Sequence, residues 1–251
     1  MSAKSLREYL QLLKKSPSGA VFNPWWEVDE QNDIGRNAPA IRRHQLRAYL
    51  QKRLGKAKLA LIGEAVGYRG GHFSGIPMTS ERLLLGRSEK VPMRSNDFFS
   101  DINPRRTSKP EKCPDGFSEP TATIVWGTLM RHSLRPDHFV LWNAFPWHSF
   151  DSRCGLLSNR MPTKSERAAG LPVLKTFIEL FPCDQVVALG KIAAAQLEKL
   201  NVNAQCIRHP ASGGAKLFAS KSPGSRLDWI YHENLIGRVL PIEHSLLGVE
   251  C

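Results

Sequence analysis

Three short segments of this 251-residue chain carry polar side chains at the ends of apolar runs: GEAVGYRGGHFSGIPMTSE (63–81), LWNAFPWH (141–148) and RHPASGG (208–214). Each offers one group suited to breaking a bond. The Glu64 carboxylate can position or deprotonate a water molecule. The Asn143 amide presents an acceptor and a donor side by side. The His209 imidazole can hold an N–H where negative charge develops in a transition state. Lys191 follows Gly190 at a predicted helix start, where unpaired backbone N–H groups already favour phosphate. Several familiar signatures are missing from the sequence: HExxH, GxSxG and GxxxxGK[ST] do not occur. GYRGG (67–71) has the wrong spacing for a dinucleotide fingerprint, and no acid follows at the expected distance. No carboxylate–histidine cluster suggests a metal site. Cys113, Cys154, Cys183, Cys206 and Cys251 are widely spaced, odd in number and never in a CxxC pair, which argues against a disulfide framework, a zinc ribbon or a cysteine-held cluster.

Groups so far apart in sequence need a scaffold that gathers them. LALIGEA (59–65), HFVLWNAF (138–145), DQVVALG (184–190) and NAQCIRHP (203–210) are apolar runs of strand length. Helices are predicted over 3–14, about 38–54, 119–134, 164–181, 191–200 and 224–240, with a short one near Thr79. Alternating strands and helices imply a parallel sheet covered on both faces. The expected fold is therefore α/β: a three-layer α/β/α domain with a four-stranded parallel central sheet. In such sheets the site lies beyond the carboxyl ends of the strands, where Glu64, Asn143 and His209 fall. The whole chain, 1–251, reads as a single domain. Residues 1–55 form an N-terminal helical extension, with Trp25 and Trp26 as core anchors. Residues 86–119, broken by Pro92, Pro104, Pro110 and Pro114, read as a partly mobile surface insertion.

Thirty-five basic residues against 23 acidic ones give a net charge of +12, which favours a polyanionic partner. The excess is clustered. No acid lies between Ile34 and Gly63, a window holding Arg36, Arg42, Arg43, Arg47, Lys52, Arg53, Lys56 and Lys58. Another acid-free window runs from Lys199 to Leu227. Nucleic acid is the expected partner. No apolar run is long enough to span a membrane, and the first residues lack the pattern of a signal peptide. A cytoplasmic monomer is expected.

Together with LGKIAA (189–194), the three segments resemble the uracil-DNA glycosylase superfamily in order and spacing, over about residues 58–240. The first is similar to the GEAPG motif of bacterial members and the third to their HPS or HPA loop. The resemblance implies flipping of a base out of DNA, cleavage of its N-glycosidic bond and no cofactor. In that role His209 would donate to a pyrimidine O2 as the departing base gathers charge. Asn143 would pair with the base edge, matching uracil N3–H and O4 in one amide orientation and cytosine N3 and N4–H2 in the other. Whatever fixes the amide therefore selects the base. Glu64 would activate water or hold a loop; the best-known branch uses an Asp one position later, where Ala65 stands here. Two departures stand out: Val66 replaces the Pro of GEAPG, and Met78 replaces the Phe that stacks on the flipped base. Phe73 is a substitute stacking ring; otherwise the pocket suits a larger base. The absence of clustered cysteines separates the chain from the iron–sulfur branch. Lys191, Arg208, Ser212, Gly213, Gly214 and Lys216 would grip DNA, and Leu217 or Phe218 would fill the gap left by the flipped base. The expected activity is release of uracil or a related modified pyrimidine from single- or double-stranded DNA, leaving an abasic site. Two alternatives accompany it. One is a glycosylase for a bulky modified cytosine of phage DNA, acting in anti-phage defence. The other is a non-catalytic or covalently trapped modified-base DNA-binding protein.

Overall fold

The computed structural model describes residues 5–210. Along the chain come α1 (Leu6–Leu12), β1 (Val21–Phe22), α2 (Ala38–Arg53), β2 (Leu59–Ala65) and three single-turn helices, α3 (Gly71–Ser74), α4 (Glu81–Leu84) and α5 (Ser95–Phe98). There follow α6 (Pro120–Arg131), β3 (Phe139–Phe145), β4 (His148–Ser149), α7 (Lys164–Leu180), β5 (Gln185–Leu189), α8 (Lys191–Glu198) and β6 (Gln205–Ile207). Local chemistry sets the helix starts. Ser5 and Thr163 close capping boxes with Glu8 and Glu166, Ser80 caps α4, and Pro120 occupies the first turn of α6. Pro172 sits inside α7 without ending it.

The main sheet has the order β3-β2-β5-β6, and all its pairs are parallel. β1 and β4 form a separate antiparallel pair. Strands covered on both faces are apolar throughout, and all seven residues of β3 are buried. Trp142 of β3 stacks on Phe177 of α7, with centroids 5.0 Å apart, and on Trp25 at 6.1 Å. The α/β/α expectation with four parallel strands is met.

β3 lies at the edge of the sheet, where unpaired backbone groups need cover. Helix α2 supplies it. The Leu141 N–H donates to the Tyr49 hydroxyl at 2.9 Å, and the Phe139 carbonyl accepts from Arg53 Nε at 3.0 Å. Arg53 is fully buried and donates further to the Tyr49, Phe98 and Asp97 carbonyls. The N-terminal helical segment thus seals the open edge of the sheet.

Segment 86–119 is irregular and largely at the surface, and a few buried side chains tie it down. Phe98 and Phe99 are buried, with Phe98 against Trp126 at 4.9 Å. The buried Glu81 carboxylate accepts from the Thr107 and Ser108 N–H groups at 2.7 and 3.0 Å and from the Ser108 hydroxyl. Prolines deny the segment long elements, so side chains tie it down instead. Within the basic window after Ile34, a second arginine is used inside the fold. Arg42 is buried in an ion pair with Asp33 at 2.6 Å, and Asp33 lies just before the acid-free window begins. Among the described residues no helix is long and apolar enough to cross a membrane.

Candidate active site

Register brings the first two motifs together. In the parallel pairing of β2 and β3, Gly63 faces Asn143 and Ala65 faces Phe145, so both polar ends emerge side by side. β5 follows β2 and β6 follows β5, which carries His209 to the same end of the sheet. A cavity of about 320 Å³ opens there, lined by Glu64, Ala65, Val66, Met78, Asn143 and His209, with Glu119, Ser149, Asn159 and Arg160 also in its lining. Five of the residues expected in the site therefore meet: Glu64, His209, Asn143, Met78 and Ala65. Ala65 contributes only a small apolar side chain, so the carboxylate at this strand end is Glu64.

Phe73 is not among them. It is fully buried and stacks on Phe117 at 4.4 Å and 11°. The turn of α3 points it into the core, where it cannot meet a flipped base. Met78 takes the wall position with φ at +48°, a backbone conformation that a bulky side chain adopts only under constraint. A Cβ built on Gly63 would stand 2.6 Å from the Asn143 amide and 3.0 Å from the Met78 sulfur. Only glycine at 63 admits both side chains.

Asn143 is buried, and the donor and acceptor facing its amide assign its orientation. Oδ1 accepts from the Val66 N–H at 3.2 Å, and Nδ2 donates to the Trp142 carbonyl at 3.3 Å. A buried histidine pair ties α3 to β4. His72 Nδ1 lies 3.1 Å from His148 Nδ1, and His72 Nε2 lies 3.1 Å from Asp29 Oδ2. His148 Nε2 donates to the Ser158 carbonyl at 2.7 Å, and burial pushes the His148 pKa down to about 3.

Burial sets the charge of the candidate groups. It raises the Glu64 carboxyl above its usual value, an effect that Arg167 opposes. It lowers His209 below 6.5, so the imidazole is neutral near neutral pH. Arg160, by contrast, is committed to structure: it pairs with Glu166 at 2.6 and 2.7 Å and donates to the Phe150 and Ala20 carbonyls at 2.9 Å.

Sequence reasoning missed Glu119. It stands at the N-cap of α6 but makes no capping bond. Its carboxyl instead lies over the GYRGG loop. A Cβ on Gly67 would come within 2.5 Å of Oε1, and one on Gly70 would overlap Oε2. Oε2 is buried without a hydrogen-bond partner, and burial raises the carboxyl to about 7. The glycines that fail as a dinucleotide fingerprint thus make room for a second carboxyl; they were the only signal of it in the sequence.

Lys191 is exposed at the first position of α8, and Arg208 is exposed just before His209. The two segments that carry them meet where the Gly190 N–H donates to the Ile207 carbonyl at 2.8 Å. Ser212, Gly213, Gly214, Lys216, Leu217, Phe218 and the helix expected over 224–240 lie outside the described residues. Among the described residues no group of histidine, cysteine and carboxylate side chains is arranged to hold a metal ion.

The fold together with a family-model match defines the class: a DNA N-glycosylase, a hydrolase of N-glycosyl bonds. The chain belongs to the uracil DNA glycosylase superfamily, whose family model matches residues 53–244. The crystal structure of wild-type Pedobacter heparinus SMUG2 is similar over 85% of this chain and 92% of that one, with a TM-score of 0.53 and 14% identity, a likeness of fold. No curated protein matches the chain.

Proposed function

We propose that this glycosylase flips uracil or a related modified pyrimidine out of DNA and hydrolyses its N-glycosidic bond with Glu64, Asn143 and His209, leaving an abasic site. The carrying observation is the meeting of these three side chains at one cavity. Its volume of about 320 Å³ lies at the small end of ligand pockets. A flipped base enters with its edge against Asn143. As the glycosidic bond stretches, charge moves onto the base, and the neutral His209 N–H stabilises it at O2. One preorganised donor of this kind is worth roughly 2.7–4 kcal/mol. Glu64, at the end of β2, orients or deprotonates the water that attacks the oxocarbenium-like sugar carbon, as carboxylates do in glycoside hydrolysis. Lys191 and Arg208 hold backbone phosphates at the mouth.

The cavity wall also favours a second reading, a bulky modified cytosine such as those of phage DNA, with a role in antiviral defence. Met78 supplies no flat ring there, and Glu119, Ser149 and Asn159 extend the polar lining beyond what one plain ring requires. The test is incubation with DNAs carrying uracil, damaged pyrimidines or hypermodified cytosines, with mass analysis of the released base. Release of uracil supports the first reading, and release of a hypermodified cytosine alone supports the second. DNA retention with no abasic site from any substrate overturns both in favour of a non-catalytic reader.

A further inference from the structure

We propose that the backbone N–H of Val66 is a positioning group that sets base specificity: it locks the Asn143 amide in one orientation and so chooses between a 4-oxo and a 4-amino pyrimidine. The proposal rests on the reading of Asn143 as the residue that pairs with the base.

A primary amide has two acceptor and two donor sites. At Asn143 the Val66 N–H occupies one acceptor site and the Trp142 carbonyl uses one donor. One acceptor and one donor remain for a ligand. Uracil answers such a pair with N3–H and O4, cytosine with N3 and N4–H2. The two bases present donor and acceptor in opposite order along the edge. A base whose O2 faces His209 and whose sugar bond points out of the pocket cannot turn over to compensate. The order is therefore decided by which way the amide lies.

Turning the Asn143 amide over would set Nδ2 against the Val66 N–H and Oδ1 against the Trp142 carbonyl, donor facing donor and acceptor facing acceptor. Both residues are buried, so water does not relieve the conflict. The Trp142 carbonyl is present whatever the side chain at 142. The Val66 N–H exists only because position 66 is not proline, which has no backbone donor. The substitution that separates this chain from the GEAPG pattern thus adds a lock on the amide that a proline at that position lacks.

The test compares wild type with Val66→Ala, which keeps the N–H, Val66→Pro, which removes it, and an amide-to-ester variant carrying the α-hydroxy acid analogue of valine at 66, which removes it without a ring. Each acts in single turnover on matched DNAs bearing uracil, cytosine and their 5-hydroxymethyl forms, with released base measured by mass. Val66→Ala should keep the wild-type ratio of 4-oxo to 4-amino release. The proline and ester variants should lose about tenfold or more of that ratio, the factor that one lost hydrogen bond carries. An unchanged ratio in the ester variant overturns the proposal, as does an equal loss in Val66→Ala. The ester variant decides the matter if Val66→Pro fails to fold. Absence of base release by wild type from every DNA, these and the wider panel alike, overturns the glycosylase reading itself, a result distinct from release with an unaltered ratio.

Discussion

Replacing Glu119 by Gln should stabilise the protein above neutral pH and leave it unchanged in acid. In the folded chain burial holds this carboxyl at about 7, against an ordinary value of 4.5. The unfolded chain releases the proton near 4.5, while the folded chain keeps it until about 7. Across that window the native state binds more protons than the unfolded state, so stability falls as pH rises. Each tenfold change in proton affinity is worth about 1.4 kcal/mol, and the full loss above pH 7 is about 3 kcal/mol. Below 4.5 both states are protonated and the contribution vanishes. Gln is a neutral isostere and carries no such loss. For a domain of this size each kcal/mol moves Tm by about 2–4 °C, so Glu119→Gln should melt several degrees higher at pH 8.5 and with wild type at pH 4. The assay is thermal or urea unfolding of both proteins across that range. Parallel curves would refute the reasoning, and a less stable Gln variant at high pH would show that a donor or cation holds the carboxylate ionised. Base release should follow the same titration. Above pH 7 a second negative charge on the cavity wall opposes a departing base that is itself becoming anionic, so wild type should slow there and Glu119→Gln should not.

Three further outcomes follow from the site. His209→Ala should lower single-turnover release by 10²–10³ with little change in DNA affinity by gel shift; weaker affinity with unchanged release would move His209 out of the chemistry. The acid limb of activity should lie above 4.5, because burial raises Glu64, and it should vanish in a slowed Glu64→Gln enzyme; an unshifted limb in that variant would assign it to another group. Lys191→Ala should reduce the slope of log affinity against log salt by about 0.9 on duplex DNA without altering base choice, and an unchanged slope would take Lys191 off the phosphate.

The parts of the fold legible in the sequence are those where periodicity and burial coincide. β2 and β3 are unbroken apolar runs ending in Glu64-Ala65 and Asn143-Ala144-Phe145, and they pair at those ends. Motif order at strand ends sufficed to place Glu64, Asn143 and His209 on one cavity. The misses concern contacts between distant segments, which no local pattern encodes. Phe73 has the right chemistry for stacking, but its direction depends on Phe117, 44 positions along the chain. The tally of basic residues counts Arg42 toward the clustered excess although its buried partner Asp33 stands just outside the window. Proline frequency marks 86–119 as a surface insertion and gives no sign that Glu81, 26 and 27 positions upstream, accepts from the Thr107 and Ser108 N–H groups. Glu119 was hidden by that same reading.

The seal on β3 has a consequence for how the site comes apart. Asn143 rides on a seven-residue strand whose outer edge is closed by Tyr49 and Arg53. His209 follows the opposite edge, β6, a strand of three residues of which Gln205 and Cys206 are exposed. Short, solvated elements open at lower free energy than buried ones. Amide exchange should therefore be faster at Cys206 and Ile207 than at Leu141 and Trp142, and fluctuations that carry His209 away should leave the Asn143 wall standing. On the roles proposed for Asn143 and His209, capture and cleavage of a base would then answer to parts of the sheet that open separately.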